Sequence, residues 1–284
     1  MSYETVLVEK KDNYAIVTFN RPTKFNAANA QLFADLTAAI NSLDADKEVG
    51  CIILTGQEFT HPKKGTPFHV FSAGADVEQF SRVGEVEAGY DFIKACFEPF
   101  KAIENSETPV IAAVNGAAFG FGLEIQGCCD FSFAGTNARF ALKELNHGAI
   151  PAWAITRGVE RYGNSTIAYL AMSTKELSPE EARRLGIVID VFEADQLMPE
   201  VEALAARVAA NSEYGRTYVK RLLNRNNMEQ YQDAERFMPA VFASKFMQKA
   251  FARFLGGETK NVKTKCNCRM ARFNHDTHPV SGTD

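Results

Sequence analysis

Short apolar runs alternate along this chain with stretches in which apolar positions return every three or four residues. Residues 14–19 (YAIVTF) form one such run, stopped by Asn20-Arg21-Pro22, and predict a short buried strand. Over residues 30–43, Leu32, Leu36, Ile40 and Leu43 recur at helical spacing. Cys51 to Leu54 predicts a second strand closed by Thr55-Gly56, and the stretch QEFTHPKKGTPFHV after it reads as a surface loop. Helix is predicted next from about 86 to 106, with Phe92, Cys96 and Phe100 on one face. Pro109 to Val114 (PVIAAV) predicts a third strand, which runs into a glycine-rich turn.

Beyond that turn, LEIQGCCDFSFA predicts a buried helix passing into a strand near Phe131. Arg139 to Leu142 continues extended, and Lys143 to Pro151 reads as a loop. Ser178 with Glu181 three residues on is a helix-start signature, the helix ending at Gly186, and GIVIDVF predicts another strand. From 198 to 255 the pattern is helical throughout, with a break at the polar run Asn224 to Asn227. Strands separated by helices predict an α/β body with largely buried strands. The expected division is a core over 1–197, a helical appendage or subunit-contact region over 198–255, and a tail over 256–284 that opens with Gly-Gly.

Composition narrows the partners. Hydrophobic residues make up 46% and charged residues 23%, ordinary for a globular protein, and the net charge of −4 gives no field that would gather nucleic acid or an anionic membrane. An anionic ligand therefore needs a local basic site. The acids and lysines of the first residues are unlike a secretory signal, and no stretch approaches the roughly 20 apolar residues of a membrane span. Four of the six cysteines, Cys51, Cys96, Cys128 and Cys129, lie in apolar runs, which fits reduced thiols and a cytoplasmic location. Cys266, Cys268, His275 and His278 in the tail have no spacing typical of a zinc site, and no metal is expected.

The glycine-rich turn, NGAAFGFGLE over 115–124, carries the chemistry. A dinucleotide fingerprint needs a third glycine where Ile125 stands, and a phosphate loop needs Gly-Lys-Ser/Thr where Gly122-Leu123-Glu124 stands. A carboxylate in the first helical turn also opposes an anion. What remains is donation of backbone N–H groups to an oxygen that gains charge during reaction, because a helix N-terminus offers unpaired donors and glycine lets a substrate approach. An oxyanion hole needs a second donor, and FSAGAD over 71–76 offers a similar turn. Glu124 alone would also serve simply to stabilise the helix dipole.

In series, these segments resemble the crotonase family, the enoyl-CoA hydratase/isomerase superfamily. Asn20-Arg21-Pro22 with Asn26-Ala27 resembles its N-R-P-x-x-x-N-A motif, and Thr55-Gly56 with Phe71 to Asp76 resembles its T-G…F-x-A-G-A-D segment. Pro109 to Gly116 resembles P-x-I-A-A-V-N-G, and Gly120 to Glu124 with Cys129-Asp130 resembles G-G-G-x-E…C-D. Phe140 to Glu144 with Gly148 to Pro151 resembles F-x-x-P-E…G-I-x-P, and the stretch from Leu177 to Val188 is similar to A-x-x-x-G-L-V. The resemblance covers roughly residues 3–255 in unbroken order.

The resemblance implies an α/β crotonase (ClpP-like) spiral of β-β-α units, followed by a helical trimerisation module that builds trimers or dimers of trimers. It implies an acyl-CoA thioester whose carbonyl accepts from the N–H groups of Ala75 and Phe121, with no cofactor beyond the coenzyme A of the substrate. At the second of these positions the family commonly has glycine. Glu124 falls on the position that handles water, and Glu144 on the one that supplies the α-carbon proton, so both hydratase glutamates are present. His147 is a nearby alternative acid/base group. The resemblance further places Phe25, Ala73, Asp76 and Gly120 along the substrate site, with Arg21 and Lys24 as phosphate neighbours.

Departures from the family pattern bear on specificity. The 14 residues between Gly56 and Phe71 are more than the family usually has, and bring Lys63, Lys64 and two histidines. AWAITRGVERYG after Pro151 lacks the usual glycine pair and brings in Trp153, which with Phe119 and Phe121 is expected to shape a pocket for a bulky or cyclic acyl group. The final helix reads AFARFLGG where the family has a Lys-Arg run, leaving Lys249 or Arg253 to meet the coenzyme. The expected activity is hydration of an enoyl-CoA. An enoyl-CoA isomerase or a ring-opening β-diketone hydrolase is the alternative, and a non-catalytic scaffold or RNA-binding relative is disfavoured by the retained glutamates and negative charge.

Overall fold

A computed structural model describes residues 2–60, 65, 67–80, 86–224, 231, 232, 235, 236, 239 and 241–254. The chain begins with β1 (Val6–Lys10), β2 (Ala15–Phe19), α1 (Ala30–Asp44), β3 (Ile52–Gly56), β4 (Glu58–Thr60) and β5 (Pro67–Ser72). It continues through α2 (Val77–Phe80), α3 (Val86–Asn105), β6 (Val110–Val114), β7 (Ala117–Phe119), α4 (Phe121–Cys128), β8 (Phe131–Gly135) and β9 (Arg139–Ala141). After these come α5 (Val159–Tyr162), α6 (Asn164–Ser173), α7 (Pro179–Arg184), β10 (Asp190–Phe192), α8 (Leu197–Ala209), α9 (Glu213–Leu223) and α10 (Lys245–Phe254).

The strands form two sheets, in the orders β1-β2-β3-β6-β8-β10 and β4-β5-β7-β9. Each passage of the chain lays one strand in the larger sheet, the next in the smaller, then a helix: β3 and β5 precede α3, and β6 and β7 precede α4. This is the expected spiral of β-β-α units. Except for β1 on β2 and β4 on β5, all pairings are parallel. Parallel strands need helical crossovers, so both faces of the larger sheet are covered.

Alternation along these strands divides the apolar residues. Ile52, Leu54, Val110, Ala112 and Val114 face the main core, with α1, α3 and α4. Ile53, Ile111, Ala113 and Phe133 face the opposite way and are covered by Leu197, Val201 and Ala205 of α8. Each buried Val, Leu, Ile or Phe among them contributes ~1.5–3 kcal/mol by leaving water. The boundary expected at 197/198 therefore does not separate two cores, because α8 closes one face of the sheet. The helical stretch also breaks earlier than expected, at Asn211-Ser212, before Asn224 ends α9.

The stretch expected to be a surface loop after Gly56 is in part a hairpin, with Thr60 opposite Pro67 and Glu58 opposite His69. Pro67 stands at the first residue of β5, where a missing N–H is tolerated. His61, Lys63 and Lys64 lie outside the described residues, as do Cys266, Cys268, His275 and His278. The helix-start signature at Ser178 is realised as a reciprocal pair: the Ser178 hydroxyl accepts from Glu181 N–H, and Glu181 accepts from Ser178 N–H.

Candidate active site

Two turns meet where the parallel strands β5 and β7 end side by side. A Cβ added to Gly74 (φ +106°) would lie 3.1 Å from the Phe119 carbonyl oxygen, and one added to Gly122 would lie 2.6 Å from that of Ser72. Glycine is what lets the turns touch. Beyond β5 a single bridge pairs Ala28 with Ala75, using the Ala28 and Asp76 N–H groups. The Ala75 N–H faces the other way, and Phe121 is the first residue of α4. Neither N–H has an acceptor among the described residues.

Ala75 and Phe121 line one cavity of about 110 Å³, together with Gly120, Glu124 and Glu144. Its remaining wall is mostly apolar, with Phe33, Phe80, Ile93 and Phe97 on one side and Ile150 and Ala152 on the other. The Phe121 ring stacks on Phe100 (centroids 5.2 Å, 25° between planes) and touches Phe33 at 5.4 Å. One residue thus brings both a backbone donor without an acceptor among the described residues and a rigid wall to the cavity.

Glu124 is 6% exposed, and its Oε1 accepts from the N–H groups of Trp153 (3.0 Å) and Ala154 (3.1 Å). Burial pushes its pKa up to about 7, well above the usual carboxylate range, and the two N–H donors moderate the rise. Glu144 opens a short helical turn, Glu144–His147, and its buried Oε2 has no hydrogen-bond partner among the described residues. Burial first, then the Glu124 charge, pushes its carboxyl up. Glu124 accepts from two N–H donors that favour its ionised form and Glu144 only from its own N–H, so of the two Glu144 holds a proton more tightly. Gly120 (φ +50°) makes room for this pairing, since a Cβ there would lie 2.7 Å from Glu144 Oε1. His147 also lines the cavity, its imidazole pushed toward the neutral form by burial and by Lys143.

The other expected site residues do not line the cavity. Arg21, expected near phosphate, instead donates to the Ala27 carbonyl and, at 3.1 Å, to Asp76 Oδ2. With its side chain only 14% exposed, it clamps the turn that carries Ala75. Asn26, fully buried, extends the clamp by donating to the Val70 (2.8 Å) and Phe71 (3.2 Å) carbonyls. Lys24 pairs with Glu78 at the surface (3.1 Å). Phe25 packs edge-on against Phe68 and accepts from the N–H of Ala73. The Trp153 indole is fully buried, its ring within 2.5 Å of where a Gly127 Cβ would stand, so the ring is core and only the residue's N–H serves the site. Phe119 lies under the Lys143 ammonium, off the cavity wall.

Sequence reasoning missed the donors to Glu124 and the buried Glu104 behind them. The signal for Glu104 was present: it continues the Phe92, Cys96, Phe100 spacing by four, an acid on an apolar helix face. No group of three or more metal-ligating side chains occurs among the described residues, and none of their helices is long and apolar enough to cross a membrane.

Known proteins with this pattern are consistent with the geometry. A family model described as enoyl-CoA hydratase/isomerase matches residues 9–261. A probable enoyl-CoA hydratase of Rhizobium meliloti (strain 1021) is 33% identical over 251 residues, covering 87% of this chain and 91% of that protein. The crotonyl-CoA hydratase of Syntrophomonas wolfei is 32% identical over 214 residues, covering 75% and 78% respectively. Among solved structures, an enoyl-CoA hydratase/isomerase from Pseudoalteromonas atlantica T6c matches with a TM-score of 0.75 at 26% identity, over 90% of this chain and 99% of that chain.

Proposed function

Because this chain belongs to the enoyl-CoA hydratase/isomerase family, we propose that its cavity adds water across the α,β double bond of an acyl-CoA thioester. The protein is a hydratase-type enzyme of the crotonase superfamily. The observation that carries the reaction is the meeting, in one apolar cavity, of two backbone donors unpaired among the described residues with two buried carboxyls.

The thioester carbonyl takes the N–H groups of Ala75 and Phe121. Glu124, the partner that favours its ionised form, accepts a proton from water as the water oxygen bonds to the β-carbon. The displaced electron pair moves to the thioester oxygen, where the two N–H groups stabilise the enolate. Glu144, the partner that holds its proton, delivers it to the α-carbon, and the carbonyl reforms. The proton gained by Glu124 then restores the pair through solvent when product leaves. No cofactor enters these steps beyond the coenzyme A of the substrate.

Of the three aromatic residues expected to shape a bulky-acyl pocket, Phe121 alone lines the cavity, which supports a compact, apolar acyl group. Assembly into trimers or dimers of trimers fits the apolar face that α9 leaves exposed, with Tyr214 (70%) and Leu223 (72%) most open. The test is crotonyl-CoA hydration by Glu124→Gln and Glu144→Gln. Each is expected to lower kcat by orders of magnitude while binding of a saturated acyl-CoA is kept. Near-normal turnover in either variant removes that residue from the mechanism.

A further inference from the structure

Glu124 owes its orientation to the N–H groups of Trp153 and Ala154, and those groups sit at the start of a helical stretch, Ala154–Gly158, that runs on into α5. What fixes that start is a polar cluster sealed behind it. The Trp153 indole Nε1 donates to Glu104 Oε1 at 3.3 Å. Arg157 Nε lies 3.3 and 3.4 Å from the two Glu104 oxygens, and Arg157 Nη2 donates to Asn224 Oδ1 at 2.8 Å. Asn224 Nδ2 closes the ring on the Glu104 carbonyl at 3.0 Å. The side chains of Glu104 and Arg157 are 0% and 5% exposed.

A buried ion pair of this kind contributes little net stability compared with an apolar pair of the same volume. Its geometric effect is specific. Glu104 ends α3, Arg157 and Trp153 belong to the stretch that presents the N–H groups, and Asn224 follows α9. The cluster therefore joins three elements at the point from which the carboxylate is held.

We propose that Glu104 and Arg157, with Asn224, are positioning residues for the catalytic carboxylate of Glu124, their ion pair fixing the turn whose two N–H groups grip Glu124 Oε1. The assignment rests on Glu124 being the catalytic base of the proposed hydration. Neither residue lines the cavity, so both act through the turn. The other titratable groups on the cavity wall are Glu144, Lys143 and His147 beyond β9 and Cys96 of α3. None of them is altered in the test below.

Two variants, neither changing net charge, respectively loosen and remove the clamp. Trp153→Phe deletes the indole bond and keeps the backbone N–H. Glu104→Leu with Arg157→Met replaces the pair by apolar side chains of similar volume, an exchange that buried ion pairs often tolerate. Infrared titration of the carboxyl C=O band, assigned with Glu124→Gln, reads the Glu124 proton directly and needs no turnover. Failure of the hydration reading therefore leaves this test intact.

A loosened turn weakens two donors to the carboxylate, so the Glu124 titration moves to higher pH in both variants. In crotonyl-CoA hydration, kcat falls roughly 10–100-fold in the double variant, with KM within twofold of wild type, as expected when a reacting group is displaced by about 1 Å. An unchanged Glu124 titration in the folded double variant overturns the proposal. So does a change confined to KM.

Discussion

Gly120→Ala tests whether the approach of Glu144 to the glycine turn is a catalytic requirement. In the native turn Gly120 has φ +50° and ψ −119°, a backbone region that L side chains rarely adopt. A Cβ there would lie 2.7 Å from Glu144 Oε1 and 3.4 Å from its Cδ, whereas ordinary contact begins at 3.4 Å. The carboxyl must therefore retreat by about 0.7 Å, the difference between ordinary contact and the built distance. Backbone strain costs ~1–3 kcal/mol of stability. A displacement of this size in a reacting group lowers turnover by roughly 10–100-fold.

Gly163→Ala separates the two effects. Gly163 has φ +82° and nothing within 4 Å of its added Cβ, so it carries the strain without the clash. Initial rates of crotonyl-CoA hydration, followed by loss of the enoyl-thioester absorbance, are compared with urea unfolding of each variant. Both variants are expected to lose stability, but only Gly120→Ala to lose kcat. Folded Gly120→Ala protein with kcat within twofold of wild type refutes the argument, as does an equal loss in Gly163→Ala.

Two further outcomes follow from buried charge. Lys220→Met leaves Asp130 without the ammonium at 2.9 Å and removes donors to Ser106 Oγ (2.8 Å) and the Thr108 carbonyl (3.0 Å), so unfolding free energy should fall by ~3–5 kcal/mol with kcat unchanged. The second concerns pH: because the folded Glu144 carboxyl is raised above its unfolded value, the stability it contributes is present at low pH and is lost as pH rises through the folded value. Thermal melts should therefore show wild type losing stability relative to Glu144→Gln across that window, and parallel curves would contradict the assignment.

The sequence pattern was most legible where a single period dominates. The runs 14–19 and 109–114 are buried strands because apolar residues occupy both faces, and the helix over Ala30–Asp44 follows its three-and-four spacing. β1 was missed: as an edge strand only its first residue is buried, and its apolar run is just Val6 to Val8 before Glu9-Lys10. The hairpin after Gly56 was hidden by proline and lysine. At the site, motif order brought Ala75, Phe121, Glu124 and Glu144 to one cavity, yet gave Arg21 a partner outside the protein. A cation beside a loop looks the same in sequence whether it faces phosphate or an internal carboxylate. Here Asp76, 55 positions away, takes that charge. The Trp153 and Ala154 donors were invisible because any non-proline residue carries an N–H.

The same reasoning explains why so much polar structure surrounds two backbone donors. An oxyanion hole acts by being in place before charge develops, so its cost is met by fixing the backbone beforehand. Here neither turn can shift alone. Gly122 rests on the Ser72 carbonyl, Gly74 rests on that of Phe119, and the Ser72 hydroxyl donates to the Asn26 carbonyl at 2.8 Å. Asn26 is in turn tied to β5, and Arg21 to Asp76. Each of these residues is polar and partly or wholly removed from water, which is expensive unless every group is paired. The pairing also sets the separation of Ala75 from Phe121. Arg21 and Asp76, which the resemblance places at the substrate, are thus bonded to each other and brace the turn that brings Ala75 to the cavity wall.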